Sequence, residues 1–162
     1  MKEEKIEESL QDHTLDRVDR RILATLQANG RISNQELAST VHLSPAQCNR
    51  RHRRLERLGF VKRYEARLDA DRLGLGVTAF VHITMERGQF KEVLKFQRTI
   101  ERMPEILECH AVTGDFDYVC KVVASDLKSL SNFLLGTLAQ LPGVNGVRSS
   151  ICLNELKCTS AL

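Results

Sequence analysis

Two helix-start signatures in quick succession constrain this chain more than any other feature. Ser33 followed by Glu36, and Ser44 followed by Gln47, both have capping-box spacing. In that arrangement a serine oxygen accepts from a backbone N–H three residues on, while the longer side chain reaches back to the serine N–H. Pro45 stands at the first position of the second helix, where its missing N–H costs nothing. Between the boxes lie Leu37, Ala38 and Val41 at helical spacing, then His42-Leu43, which leaves room only for a tight connection. The pattern is helix, short turn, helix. An earlier helix is expected between Leu15 and Asn29 on Ile22, Leu23 and Leu26, stopped at Asn29-Gly30 by a left-handed cap.

The second member of the pair carries five arginines between Pro45 and Leu58. At about 100° per residue, Cys48, His52, Leu55 and Leu58 share an inner side. Arg50, Arg53, Arg54 and Arg57 fall on the outer side with Arg51 on the flank. A capped basic helix presented past a short turn suits the DNA major groove, entering by its N-terminal end. Gln47, Asn49, Arg50 and Arg51 lie in the first turns and are expected to meet base edges, arginine pairing with guanine and the amides with adenine. Arg53, Arg54 and Arg57 are expected at phosphates or against a neighbouring structural carboxylate. Ser33 and Ser44 are expected to donate to phosphate as well as cap, and Lys62 to add backbone charge. The charge balance agrees: Thr14 to Asp69 holds 12 Lys plus Arg against 6 Asp plus Glu, whereas Ala70 to Leu162 holds 10 of each. A basic nucleic-acid-binding module joined to a neutral one has this asymmetry.

At 162 residues the chain suits two small domains. Residues 1–13 are mostly charged and are expected as a flexible extension, followed by a helix-turn-helix domain over 14–60. Residues 61–76 are expected as a linker strand, or wing, with a hinge at Leu73-Gly74-Leu75-Gly76. From 77 to 162 the pattern changes. Val77–Met85, Ile106–Thr113, Tyr118–Val123 and Val144–Leu156 are expected as strands, and 90–103 and 126–141 as helices. On the first of these helices Val93, Leu94, Phe96, Gln97 and Ile100 are expected to face inward. The order βαββαβ predicts a ferredoxin-like α+β domain behind a winged helix-turn-helix. Such a sheet leaves one face bare, and a second copy of the chain is the simplest cover, giving a homodimer and a roughly palindromic duplex DNA target. No long apolar run suggests a membrane span. Five cysteines, an odd number, fit a reducing cytoplasm. No metal site is expected: Cys109 and His110 are strand neighbours that point to opposite faces, and no C-x-x-C pair occurs. His82 fits an apolar strand as a core or interface residue.

Four runs, LDRVDRRILATLQANGRISNQELA from Leu15, LSPAQCNRRHRRLERLGFV from Leu43, ECHAVTGDFDYVCKV from Glu108 and LPGVNGVRSS from Leu141, resemble the Lrp/AsnC or feast/famine regulators of bacteria and archaea. The resemblance spans nearly the whole chain. It implies a transcription regulator rather than an enzyme, with no cofactor, acting on double-stranded DNA in the cytoplasm, at the nucleoid. It further implies that the second domain binds a small effector, an amino acid, and that dimers assemble to octamers. The effector residues it implies, at a pocket between neighbouring dimers, are Gly114, Asp115, Asp117 and Tyr118, with Ser149, Ser150, Ile151 and Cys152 shaping side-chain choice. Glycine lets main chain approach a carboxylate, and aspartates can receive an ammonium, although Gly-Asp is also ordinary turn chemistry. Two positions depart from the family pattern. His42 stands where a turn glycine is usual and is expected at positive φ. His52 stands where valine is usual, needs a partner, and is expected to loosen the domain on protonation. Two alternatives share parts of the plan. An effector-free architectural DNA-binding protein would keep the basic helix without the pocket. A tetrapyrrole-decarboxylating branch would need a histidine-lined cavity, yet His82 and His110 are the only histidines of the second domain.

Overall fold

The computed structural model describes residues 14–159, except 87 and 89 and the side chains of 90 and 91. The extension expected over residues 1–13 lies outside the described residues. Chain contacts separate two units, one of residues 14–67 with the tail from Lys157, the other Leu68–Leu156.

The first unit holds three helices, α1 (Arg17–Ala28), α2 (Asn34–Val41) and α3 (Pro45–Arg57). All three begin with a capping box: Ser33 with Glu36, Ser44 with Gln47, and Asp16 with Asp19. The third box was hidden because aspartate at both positions departs from the serine-glutamate pattern. The expected left-handed stop at Asn29-Gly30 is absent. Asn29 is extended, with φ −147°, and its side chain accepts from the Arg31 N–H at 3.0 Å. An asparagine side chain thus replaces the backbone reversal. At the end of α2 the left-handed residue is His42, with φ 58°, as the turn requires. Its N–H reaches Ser39 O at 3.2 Å and the Leu43 N–H reaches Ala38 O at 3.0 Å, the paired bonds of a Schellman ending. Ile22, Leu26, Leu37, Ala38, Val41, Cys48 and Leu55 form the core, flanked by Leu15, Val18, Leu23, Ile32, Leu43 and Val61.

The expected strand after α3 does not form. Residues 62–69 are irregular, and the first unit holds no strand among its described residues to pair with. Val61 packs on the helical core, and the Tyr64 hydroxyl bonds back to α3. A turn follows, with Gly74 at φ 77°, where the hinge was expected.

The second unit is a four-stranded antiparallel sheet of order β2-β3-β1-β4, from β1 (Val77–Met85), β2 (Ile106–Ala111), β3 (Tyr118–Ala124) and β4 (Val144–Ile151). Two helices, α4 (Phe90–Ile100) and α5 (Leu127–Gly136), complete βαββαβ. Alternation sends Ala79, Val81 and Ile83 of β1, and Tyr118, Cys120 and Val122 of β3, to a core shared with Phe96, Ile100, Leu130, Phe133, Leu134 and Leu138. Several bounds differ from expectation, β2 ending at Ala111 before Thr113 among them. α4 ends at Ile100, before Met103. The segment to Leu141 breaks at Thr137 into a short 3-10 turn, Leu138–Gln140. β4 stops at Ile151, short of Leu156. Leu94 is not inward but 42% exposed.

The other sheet face is mixed rather than apolar. Register places His110, Val119, His82 and Arg148 in one row, and Glu108, Lys121, Phe80 and Ser150 in the next. Phe80 is 44% exposed there. The His82 ring lies 4.6 Å from Phe116, over which Arg148 stands at 5.9 Å, so the histidine has an aromatic partner.

Candidate DNA interface and effector cleft

The arginines of α3 divide into two sets. Arg50, Arg53 and Arg57 are exposed, as are Gln47 and, beyond the helix, Lys62. Arg51 and Arg54 turn back onto α1. Arg51 Nη1 donates to Asp16 at 2.6 Å and to Asp19 at 2.8 Å, and Arg54 Nη1 to Asp19 at 3.3 Å. The Asp19 side chain is only 2% exposed, whereas those of Arg51 and Arg54 keep 30% and 23%. A buried carboxylate needs such partners. The backbone N–H of Asp19, and then Arg51, hold the Asp16 carboxyl below its ordinary value, while the bonds to Asp19 and Asp16 push Arg51 up.

This placement bears on two expectations. Arg54, assigned to the outer side, meets a structural carboxylate, one of the two partners expected for it, and Arg51, expected at base edges, has its guanidinium engaged by carboxylates. The serines are also occupied. Ser33 Oγ donates to Glu36 Oε2 at 2.7 Å, and Ser44 Oγ to Gln47 Oε1 at 3.0 Å, so neither proton is spare for a phosphate while the caps are closed. That donation from Ser33 is the main reason the Glu36 carboxyl is lowered. Gln47 is exposed, and Asn49 is half-buried. Arg50, Arg51 and Arg54 line a shallow notch of about 220 Å³, a place for an anion between guanidinium groups.

His52 has the partner that its inward side demands. Its Nε2 lies 2.6 Å from Tyr64 Oη, which donates to Glu56 Oε1 at 2.9 Å. With the phenol proton used there, Nε2–H serves as donor to Tyr64. Glu56 Oε1 also lies 3.4 Å from His52 Nε2. The group whose titration this geometry shifts is the phenol. Burial first, then the bond to Glu56, pushes Tyr64 from 10.0 up to about 12. Between those values the unfolded chain ionises while the folded one holds its proton, so this contribution is complete below pH 10.0 and is lost as pH rises toward about 12. An alkaline absorbance titration is expected to show a tyrosine ionising near 12 in the native protein, a step that Tyr64→Phe removes.

In the second unit an open cleft of about 470 Å³ is lined by Thr84, Met85 and Glu86 from the end of β1, Gly114, Asp115 and Asp117 from the β2–β3 loop, and Asn145 of β4. Asp117 fastens that loop to β1. Its Oδ2 accepts from the Met85 N–H at 2.7 Å, and its own N–H donates to Ile83 O at 2.9 Å. Gly114 has φ 120°, which an L side chain rarely adopts, and a Cβ there would meet open space. Three carboxylates at one cleft suit an ammonium group.

The other residues expected at this site are elsewhere. Tyr118 is in the core, its ring 4.9 Å from Phe96 and its hydroxyl 3.2 Å from Gln97 Nε2. Ser149, Ser150 and Ile151 pair with Val81, Phe80 and Ala79, toward the opposite end of β1 from Met85. Cys152 lies just past them, its N–H on Thr78 O at 2.8 Å. Within one chain the register separates 149–152 from the cleft and brings Asn145 instead. Thr84, Met85, Glu86 and Asn145 went unseen because pairing of β1 with β4, not any local motif, places them together.

Comparison with known proteins bears on both halves. Residues 15–62 match a winged helix-turn-helix DNA-binding family, and residues 78–162 an Lrp/AsnC ligand binding domain. The leucine-responsive regulatory proteins of Escherichia coli (strain K12) and Salmonella typhimurium are 44% identical over 148 residues, covering 91% of this chain and 90% of each relative. Among solved structures, a transcriptional regulator from Neisseria meningitidis in complex with L-Met superposes with TM-score 0.89 at 38% identity, covering 92% of this chain and 96% of that one. An AsnC family transcriptional regulator from Agrobacterium tumefaciens gives 0.85 at 30%, covering 91% and 96%. These relatives are regulators, not enzymes. No helix among the described residues is long and apolar enough to cross a membrane. A capped arginine helix on a helix-turn-helix, followed by a ferredoxin-like ligand-binding domain, and matched along nearly its whole length by these proteins, places the chain in the Lrp/AsnC family of DNA-binding transcriptional regulators.

Proposed function

We propose that the chain reads specific duplex sequences with α3 and that an amino acid bound at the Gly114–Asp117 cleft tunes this by changing how its copies associate. The observation that carries the reading is the split of the arginines. Arg51 and Arg54 anchor the helix to Asp19, which leaves Arg50, Arg53 and Arg57 projecting from a rigid support. Arg50, with Gln47 and Asn49, reads bases near the N-terminal end of α3, whereas Arg53, Arg57 and Lys62 meet phosphates. Ser33 and Ser44 act through the caps that hold the helix starts. Arg51 is a positioning residue, and Arg54 shares that role.

For the effector, Asp115, Asp117 and Glu86 receive the ammonium, and main chain at Gly114 faces the carboxylate. Relatives named for leucine response and solved with L-Met support an amino acid as ligand. Tyr118 shapes the site from the core behind it. Ser149, Ser150, Ile151 and Cys152 act only if a neighbouring copy brings them to the cleft. A homodimer through the mixed sheet face, assembling further to octamers, provides such a neighbour. The protein works in the cytoplasm, on chromosomal DNA.

The experiment is a duplex-binding titration alongside a thermal-shift screen of amino acids. Arg50→Ala is expected to cost about 1–3 kcal/mol and relax preference at one base position, and Lys62→Ala to weaken all duplexes alike and reduce the salt slope by about 1. At least one amino acid is expected to raise the melting temperature and shift the assembly state. Unchanged stability and assembly across all amino acids would favour the effector-free architectural alternative.

A further inference from the structure

Two thiols face each other across the hairpin that carries the cleft loop. Cys109 of β2 and Cys120 of β3 are register partners, and their sulfurs lie 3.2 Å apart. Partners across antiparallel strands have Cα separations of about 4.5–5.5 Å, inside the range that a disulfide spans. Cys120 is fully buried, whereas Cys109 is partly exposed and offers a route from solvent. The S–H of Cys120 hydrogen-bonds Cys109, and chiefly for that reason the Cys109 thiol is pulled down to about 7, with neighbouring His110 adding to the effect. The same bond, and then burial, push Cys120 up. One sulfur is thus readied as a nucleophile and the other keeps the proton. Cys48 is buried in the first unit, and burial pushes its thiol up, so it lacks this activation.

We propose that Cys109 and Cys120 form an oxidisable dithiol, a modification site that closes to an intrachain disulfide by exchange with a low-molecular-weight disulfide such as oxidised glutathione. The Cys109 thiolate attacks one sulfur of the small disulfide, whose S–S bond breaks and releases one thiolate. Cys120, giving up its proton, then attacks Cys109 Sγ and expels the second small thiol. The two protein thiols lose two electrons and two protons, and one small disulfide becomes two small thiols. The ring so closed contains Gly114, Asp115 and Asp117, and its bond pins the base of the loop that walls the cleft.

Tryptic mapping tests this without reduction, because no lysine or arginine lies between Met103 and Lys121 and both cysteines fall in one peptide. The folded, full-length chain is incubated with oxidised glutathione, then denatured, alkylated and digested. The Met103–Lys121 peptide is expected to be lighter by two hydrogen atoms and unalkylated in most molecules, and to regain two alkylation sites after reduction. Cys120→Ser, which cannot complete the exchange, is expected to keep glutathione on Cys109. A wild-type peptide alkylated at both cysteines, while exposed Cys158 carries glutathione, would overturn the proposal. So would recovery of Cys109 linked to a cysteine other than Cys120.

Discussion

Asp19→Ala is expected to destabilise the helical unit by about 3–5 kcal/mol, the usual consequence of removing one partner from a buried ion pair. The size follows from what remains. Arg51 at 2.8 Å and Arg54 at 3.3 Å would both lose the buried carboxylate that ties α3 to α1. Asp16, the second acceptor for Arg51, is half-exposed and holds it more weakly. Asp19 also closes the α1 capping box, receiving the Asp16 N–H at 3.4 Å; that half of the box is lost, while the cap of Asp16 on the Asp19 N–H at 2.8 Å remains. Urea denaturation, followed through native-state exchange of the Ile22 and Leu55 amides, measures the change in this unit alone. Duplex affinity should fall with it, since α3 loses its tether to α1. A change below about 1 kcal/mol would mean that the charges do not hold the two helices together.

Asp115→Asn is expected to weaken the amino-acid effector by about 10–100-fold, corresponding to loss of a charge-assisted hydrogen bond worth about 1.5–3 kcal/mol. Asp115 is the better probe than Asp117, because the latter accepts from the Met85 N–H and its removal would also loosen the strand end. Asparagine keeps the shape and the turn propensity while losing the charge. Isothermal titration with the amino acid that stabilises the wild type most strongly gives the ratio. Equal affinities for wild type and variant would place the ammonium elsewhere, with Glu86 the next residue to test.

The helical half was legible because its determinants are local. Ser33/Glu36, Ser44/Gln47 and Pro45 announce two helices from residues three apart, while the positive φ of His42 was expected from the glycine usual at that turn in the family the chain resembles. Legibility failed where a residue answers to a distant one. Arg51 and Arg54 look outward on a helical projection, yet Asp19, more than thirty residues earlier in the chain, draws them in. Tyr64 reads as part of a strand until its hydroxyl meets His52 and Glu56. In the second domain the order of strands and helices followed from periodicity and from Pro104 and Pro142. The cleft did not, because Asn145 and Glu86 become neighbours only through the register of β1 with β4, which no short motif encodes. The same register sets Ser149 to Cys152 apart from the cleft within one chain.

The account rests on an exposed arginine face held rigid by an inward arginine pair, and a salt titration of duplex binding tests it most directly. Anisotropy of a labelled duplex is followed from about 50 to 200 mM salt for the wild type and for Arg50→Ala/Arg53→Ala/Arg57→Ala. The wild type is predicted to lose affinity linearly in log–log form, and the triple variant to bind more weakly with a slope shallower by about 2, the phosphate contacts of Arg53 and Arg57 being worth about 0.9 each. Its helical circular dichroism and melting temperature should stay at wild-type values, because the exposed arginines carry none of the contacts to Asp19. A triple variant that binds as tightly as the wild type, with the same salt slope, would contradict the account.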